Sequence, residues 1–295
     1  MKVIDTDFVL TSDKKLILEG VTLFKRPFYV AQEWAKENNL HVDLLDPYFF
    51  ESIVAPIQKI YNSLYPKGDF SFPPILSGGV AIRDNIYSVR IPLGYGEFSI
   101  NPLDLIDIDK SELEVIFTYY QEEGWQALYG VCDLVDFGYG ASDLISMESP
   151  ATGFLERTIE QIAAFSNISS NHIPIDAFVQ TALLSAELAF KATFIHLGYS
   201  EEYCRKKFSH RHVDMALYLA QEIPGHSDDK ILKICEKFPD YVHSRYNSTG
   251  LNRLELIRVA MGAQFVAAEC TRRITNRNIL KSIETQAQFP RVYDF

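Results

Sequence analysis

Hydrophobic residues in the second half of the chain recur every three to four positions, the spacing of one face of an α-helix. The stripe over residues 175–197 ends at Gly198, a residue suited to the position just after a helix. Other stretches with this spacing are residues 154–165, 212–223, 228–238 and 253–274. Asn252 and Glu255 form a capping box before the last stretch. The pattern predicts a bundle of helices with short connections.

The first half shows shorter stretches of both helical and strand periods. An apolar, β-branched run over residues 16–24 predicts a strand, and Pro27 opens a predicted helix over residues 28–37. A second helix is predicted over residues 46–64, interrupted at Pro56. Apolar and polar side chains alternate over residues 87–91 and again over 98–100, after a Gly-Tyr-Gly turn. The two alternating stretches are predicted to pair as a hairpin.

The chain changes character near residue 148. Ser111 and Glu114 form a capping box for a predicted helix over residues 112–123, which should stop at Gly124. Residues 125–137 are apolar enough for a strand, and residues 138–153 contain the glycines and proline of a loop, where we place the domain boundary. The predicted fold is an α+β N-terminal domain (residues 1–148) of no assigned family, followed by an all-α bundle (residues 149–295).

The composition is that of a globular protein with an acidic balance. The chain has 295 residues, of which 47% are hydrophobic and 23% charged, and its formal net charge is −11. This length is typical of two domains. Proteins that hold many phosphates usually carry a basic face. The charge therefore argues against an extended nucleic-acid track but permits a small basic pocket.

The sequence indicates no targeting or membrane segment. The first residues are acidic and lack the basic and apolar regions of a signal peptide. No run approaches about 18 uninterrupted apolar residues. The four cysteines are far apart and form no C-x-x-C pair, which indicates isolated reduced thiols. We expect a cytoplasmic protein with no membrane partner.

Three segments of the second half together resemble the HEPN family. Ser185-Ala-Glu-Leu-Ala-Phe-Lys-Ala-Thr-Phe-Ile-His-Leu-Gly198 is similar to the first core helix of HEPN domains, which carries a Glu/Lys pair and ends at a glycine. His212-Val-Asp-Met-Ala-Leu-Tyr-Leu resembles the second helix of the family. Val242-His-Ser-Arg-Tyr-Asn247 resembles the arginine-bearing loop before its last helix. The order and spacing agree over residues 173–274, about a third of the chain.

The resemblance implies a HEPN-like bundle with a ligand-binding groove. The residues that would line this groove are Lys191, His212, Arg245, Tyr246 and Asn247. Two of them also have a plainer interpretation. Lys191 stands four residues after Glu187, the spacing of a simple helix ion pair, and Arg245 could serve as a helix-cap or inter-helix hydrogen-bonding arginine.

The resemblance leaves ribonuclease activity as an alternative. Many HEPN domains are metal-independent ribonucleases with an R-x4-6-H motif at the start of the final helix, and others bind nucleotides or partner domains. In the ribonucleases a histidine transfers a proton of the attacking 2′-hydroxyl and the arginine stabilises the phosphate. Here the motif is incomplete, because no histidine follows Arg245 at that spacing and His243 precedes it.

The most basic stretch of the chain lies before the second bundle helix. Its residues are Arg205, Lys206, Lys207, His210 and Arg211. A solvated loop is the ordinary interpretation of such a run, and an anion-binding loop at the N-terminus of the following helix is the functional one. Cys204, His210 and His212 would offer three zinc ligands, but no fourth has a recognisable spacing. We expect neither a metal nor a cofactor.

Three functional hypotheses remain open. The first is a non-catalytic regulatory protein that binds a nucleotide, RNA or a partner protein in the groove. The second is a metal-independent HEPN ribonuclease of a toxin or antiphage system, in which a displaced histidine joins Arg245. The third is a dimerising scaffold. A homodimer is expected from the resemblance, because HEPN bundles commonly pair.

Overall fold

A computed structural model of the chain describes residues 4–40, 49–68, 74–93, 100–169 and 176–292. These residues are mostly helical, with twelve α-helices and one two-stranded antiparallel sheet among them. They belong to two compact units, one formed by residues 1–74 and 92–98 and the other by residues 75–91 and 99–295.

The first unit is a small helical cluster. Its helices are α1 (Thr6–Leu18), α2 (Arg26–Glu37) and α3 (Ala55–Leu64), with a π-helical turn at Phe50–Val54 before α3. Inside it, the buried carboxylate of Asp13 accepts hydrogen bonds from Tyr61 (2.8 Å) and Tyr65 (2.6 Å). The predicted helix over 28–37 is confirmed, and the second predicted helix is confirmed over its described part.

The strand predicted over residues 16–24 is wrong. Helix α1 continues to Leu18, and Gly20 follows it with a φ of +74° that ends the helix. Asp5 caps the start of α1 by accepting a hydrogen bond from the Asp7 amide. A short apolar run does not by itself distinguish the end of a helix from a strand, and here the cap upstream decides the outcome.

The second unit holds the sheet and nine of the helices. Its strands are β1 (Leu76–Ile82) and β2 (Asn85–Ile91). Its helices are α4 (Lys110–Tyr119), α5 (Gln121–Ser146), α6 (Thr152–Ser169), α7 (Asp176–His196), α8 (Glu201–Phe208), α9 (His212–Glu222), α10 (Asp228–Lys237), α11 (Arg253–Arg272) and α12 (Ile279–Glu284). Helix α7 packs against α6 and α11, and α5 packs against α11 and β1.

The helices predicted in the second half are confirmed. Stretches 154–165, 212–223, 228–238 and 253–274 correspond to α6, α9, α10 and α11, and stretch 175–197 corresponds to α7 apart from residue 175, which lies outside the described residues. Gly198 has a φ of +99°. The capping box of Asn252 and Glu255 has both of its hydrogen bonds. A HEPN-like arrangement of these helices remains a proposal.

The strand predicted over residues 125–137 and the helix stop at Gly124 are wrong. Both lie inside α5, and the N-cap position of the preceding helix α4 is Asp109 rather than Ser111, without a side-chain capping hydrogen bond. Helix α5 is apolar on most sides because it is buried on most sides, so it lacks the amphipathic period. Its glycines are contact positions and not turns: a Cβ on Gly140 would lie 2.4 Å from the Thr271 methyl.

Residues 87–91 lie in strand β2 as predicted, but the described hairpin partner of β2 is a strand that was not predicted from the sequence. Strand β1 pairs with β2 across a turn at Arg83, whose φ is +58°. Two glycines weaken the strand pattern of β1, and one of them, Gly78, is needed because a Cβ there would lie 2.4 Å from Leu134. Of the predicted partner stretch 98–100, residues 98 and 99 lie outside the described residues.

The compact units divide at a different place from the predicted boundary at residue 148. Helix α5 belongs to the second unit, and residues 147–151 only connect α5 to α6. A buried ion network ties α5 to α11: the guanidinium of Arg272 donates to Asp133 (2.7 Å), Asp136 (2.7 Å) and Glu269 (2.8 Å). Because these charges are buried together, α5 and α11 form one core.

Candidate functional site

One buried carboxylate in α7 engages two basic side chains. Glu187 is 3% exposed. Its Oε1 accepts a hydrogen bond from Lys191 Nζ (2.6 Å), and its Oε2 accepts one from His210 Nδ1 (2.7 Å). Because a carboxylate oxygen accepts, Nδ1 of His210 carries the proton. The other ring nitrogen, Nε2, is therefore the one that can take or give a proton elsewhere.

His210 is placed by a tight turn between α8 and α9. The amide of Arg211 donates to the carbonyl of Phe208 (3.0 Å), and Ser209 between them has φ +50° and ψ −118°. This matches the first central position of a type II′ turn, where glycine is the usual residue. The turn holds the His210 ring against Tyr241, with ring centroids 4.5 Å apart and an angle of 28° between the planes.

Tyr241 also contacts Arg245, the arginine singled out from the sequence. The guanidinium carbon of Arg245 lies 4.4 Å from the ring centroid of Tyr241, and Nη2 donates to the Tyr241 hydroxyl (2.7 Å). That hydrogen bond raises the pKa of Arg245, so the guanidinium stays charged. From α7, Gln180 donates to the Tyr241 carbonyl (3.2 Å) and to Ser244 (2.5 Å), which fixes this segment on the bundle.

We name Glu187, Lys191, His210, Tyr241 and Arg245 the Glu187 cluster. The His210 ring centre and the Arg245 guanidinium each lie within 4.5 Å of the Tyr241 centroid, so they are at most twice that distance, about 9 Å, apart. The His210 side chain is 36% exposed and Arg245 is exposed, while Glu187 lies beneath them. His210 and Arg245 therefore face solvent, whereas Glu187 and Lys191 are largely buried.

Two of the predicted groove residues, Lys191 and Arg245, are connected by a series of contacts. The series runs from Lys191 through Glu187, His210 and Tyr241 to Arg245. His212 is not part of this series of contacts, although it lies close enough to Glu187, His210 and Lys191 to interact with their charges. His212 is buried, its Nε2 donates to the Leu183 carbonyl (2.9 Å), and burial lowers the pKa of its imidazole. His210, two residues earlier, occupies the position beside Arg245.

The other two predicted groove residues lie outside the cluster contacts. Tyr246 is 82% exposed. Asn247 donates its side-chain amide to the His243 carbonyl (3.1 Å). Both follow Arg245 in the exposed connection to α11.

The predicted anion-binding loop is helical at Arg205, Lys206 and Lys207, which form the last turns of α8. Lys206 pairs with Glu202 (2.6 Å), and Arg211 pairs with Asp214 (2.8 Å). The Lys207 ammonium lies 3.5 Å from the Tyr218 ring centroid and 2.8 Å from the Tyr203 hydroxyl. Four of these five basic residues thus have partners within the chain, and their contacts do not gather them around a common point.

The residues that sequence reasoning missed are Tyr241 and Gln180, along with the central position of Glu187. Glu187 was considered only as a partner for Lys191. A weak signal for Tyr241 was present, because it precedes Arg245 by four residues in a segment that the resemblance had already singled out. Nothing in the local sequence relates Tyr241 to His210.

The described residues contain no metal-binding group of side chains and one helix that is apolar enough to span a membrane. Within these ranges, no group of three or more His, Cys, Asp or Glu side chains is arranged to hold a metal. All four cysteines are free and buried, Cys204 among them. Residues Phe178–His196 of α7 are long and apolar enough to cross a bilayer, but 78% of that window is buried within the protein, as in the core helix of a bundle.

No protein-family model, curated protein or solved structure matches this chain. The HEPN resemblance therefore lies in residues 185–198, 212–219 and 242–247 alone.

Proposed function

We propose that this chain is a regulatory protein of the HEPN type that binds a phosphate group of a nucleotide or RNA at the Glu187 cluster. The observation that carries the proposal is the position of His210 and Arg245 on one tyrosine ring, about 9 Å apart or less, with both facing solvent. Arginine presents a planar fork of donors that matches phosphate oxygens.

The charge of the cluster favours an anion. Lys191 compensates the charge of Glu187, so the guanidinium of Arg245 is left without a carboxylate partner among the described residues. With His210 neutral, the cluster carries one net positive charge, in a chain whose formal net charge is −11. Such a site suits one or two phosphates rather than a long track of nucleic acid.

The ribonuclease hypothesis is the second candidate, and one observation favours it. His210 supplies from another segment the histidine that the sequence after Arg245 lacks. In this reaction Nε2 of His210 takes the proton of a 2′-hydroxyl, the 2′-oxygen attacks phosphorus, and the bond to the 5′-oxygen breaks, that oxygen taking a proton from water. Arg245 would stabilise the phosphate charge, and Glu187 would orient the imidazole and stabilise its protonated form.

Binding can be tested with AMP and a short fluorescent single-stranded RNA. Anisotropy and thermal shift are measured for the wild type and for Arg245→Ala, His210→Ala and Arg157→Ala. Arg157 is the control, because it is an exposed arginine of α6 with no partner among the described residues. We expect Arg245→Ala to weaken binding by about tenfold or more, which corresponds to about 1.4 kcal/mol. Equal affinities of the Arg245 and Arg157 variants would refute the proposed site.

Cleavage can be tested on the same RNA in the presence of EDTA. Cleavage that is lost in both His210→Ala and Arg245→Ala supports the ribonuclease. Binding without cleavage supports the regulatory protein. If the protein is a dimer that binds neither AMP nor the RNA and does not cleave the RNA, only the scaffold hypothesis remains.

A further inference from the structure

A second feature of the bundle is a cavity of about 580 Å³ in the second unit. The hairpin forms one wall, α5 and α11 form two others, and the segment containing Arg291 and Val292 completes it. The volume lies in the range of small-molecule sites. No residue of the Glu187 cluster lines this cavity.

The walls of the cavity are held by specific polar contacts. Gln264 of α11 donates to the Gly79 carbonyl (2.7 Å) and accepts from the Gly79 amide (3.1 Å), which fixes the hairpin to α11. Gln126 of α5 donates to the Pro290 carbonyl (3.0 Å) and accepts from the Val292 amide (2.9 Å). The cavity is therefore formed by the native contacts and does not need a ligand to open it.

The segment at residue 291 is also fixed by charge. Arg291 donates to Asp133 through both terminal nitrogens, and its guanidinium lies 4.7 Å from the Phe265 ring centroid. Because Asp133 also accepts a hydrogen bond from Arg272, the negative charge of Asp133 is compensated within the protein. The charges of Asp133 and Arg291 are thus not available to a ligand.

Other charged groups of the cavity form no ion pair with a described residue. Among the residues that the structure describes, no carboxylate pairs with Arg83, which lies over the Tyr120 ring, or with Arg258. One carboxylate oxygen of Glu123 is buried and receives no hydrogen bond from a described residue. A buried polar atom without a partner is destabilising, and Glu123 lines the cavity, so a donor bound there would stabilise its carboxylate.

We propose that this cavity binds a small zwitterion with an aliphatic body, of the size of a free amino acid or a short peptide. The carboxylate of the ligand pairs with Arg258, and its ammonium donates to Glu123. The aliphatic body packs against Val80, Ile257 and Met261. A ligand that carries only negative charge would satisfy the arginine but would leave Glu123 without a donor and repelled.

The first experiment is a thermal-shift screen of the full chain with the standard amino acids and leucyl-leucine at millimolar concentration. A ligand that binds only the folded state raises Tm with concentration. We expect at least one of these zwitterions to raise Tm, and the response to single amino acids against the dipeptide distinguishes the two sizes. For leucine, we expect leucinamide, which lacks the carboxylate, and 4-methylpentanoate, which lacks the ammonium, to bind much more weakly.

The second experiment locates the site. We expect Arg258→Ala and Glu123→Gln each to lower the affinity for the most strongly stabilising zwitterion by about tenfold or more. Arg157→Ala should leave this affinity unchanged. No stabilisation by any zwitterion would overturn the proposal, as would equal binding by the Arg258 and Arg157 variants. Stabilisation by AMP that depends on Arg258 but not on Glu123 would also overturn it, because the cavity would then be an anion site. The site residues and the zwitterion probes differ from those used for the Glu187 cluster, and only the AMP comparison and the Arg157→Ala control are shared, so either proposal can fail alone.

Discussion

Replacing Glu187 by glutamine tests whether its buried carboxylate organises the cluster. Glutamine keeps the size of the side chain and removes its charge, so the ammonium of Lys191, whose side chain is 12% exposed, loses its counter-charge. Removing one partner of a buried ion pair costs about 3–5 kcal/mol. Because Lys191 keeps some contact with water, we expect the low end, about 3 kcal/mol, and a fall in Tm of roughly 6–12 °C.

Glu202 and Lys206 provide a matched control for this substitution. They have the same i,i+4 spacing as Glu187 and Lys191, and the distance between Nζ and Oε1 is 2.6 Å in both pairs, but their side chains are 65% and 69% exposed. Exposed helix pairs contribute about 0.3–0.5 kcal/mol. Glu202→Gln should therefore be nearly neutral. Since salt screens exposed pairs more than buried ones, the difference between the two variants should persist at high salt.

Urea denaturation at pH 7 measures the free energy of unfolding of the wild type and both variants. Adding Lys191→Met to Glu187→Gln should restore part of the lost stability, because it removes the uncompensated ammonium. Glu187→Gln should also weaken binding of AMP, since His210 loses the carboxylate that orients it. If Glu187→Gln and Glu202→Gln lower the free energy of unfolding equally, the idea of a cluster organised by a buried carboxylate is refuted.

Three further outcomes concern stability. Burial lowers the pKa of His212, so the unfolded chain takes up the proton first as pH falls below the ordinary histidine pKa. The wild type should lose up to about 1.4 kcal/mol per pH unit between pH 7 and 5, and urea titrations of His212→Gln should lack this contribution. Ser209→Gly relieves a positive φ and should raise the free energy of unfolding by about 1 kcal/mol; a loss of stability would contradict the turn assignment. Arg272→Met should cost about 3–5 kcal/mol, against less than about 1 kcal/mol for the exposed Arg277→Met, and similar Tm values for the two variants would contradict the buried network.

The sequence alone was sufficient for elements that depend on local interactions. Helices α7 and α11 could be predicted because each buries one stripe and has its own end signal, Gly198 in the first case and the capping box of Asn252 in the second. Helix α5 could not, because burial on most of its surface removes the period that identifies a helix. Strand β1 was missed for a related reason: one of its two glycines, Gly78, leaves room for Leu134, which is a tertiary requirement.

In the candidate site, too, some features follow from the local sequence and others only from tertiary packing. The sequence by itself determined that α7 carries a carboxylate and an ammonium four residues apart, and that an arginine precedes α11. Only the tertiary structure decided that His210 rather than His212 lies beside that arginine. The physical reason is that Glu187, His210 and Tyr241 are separated by more than twenty residues at each step, so their contact is set by helix packing and by the turn at Ser209, neither of which leaves a periodic trace in the chain.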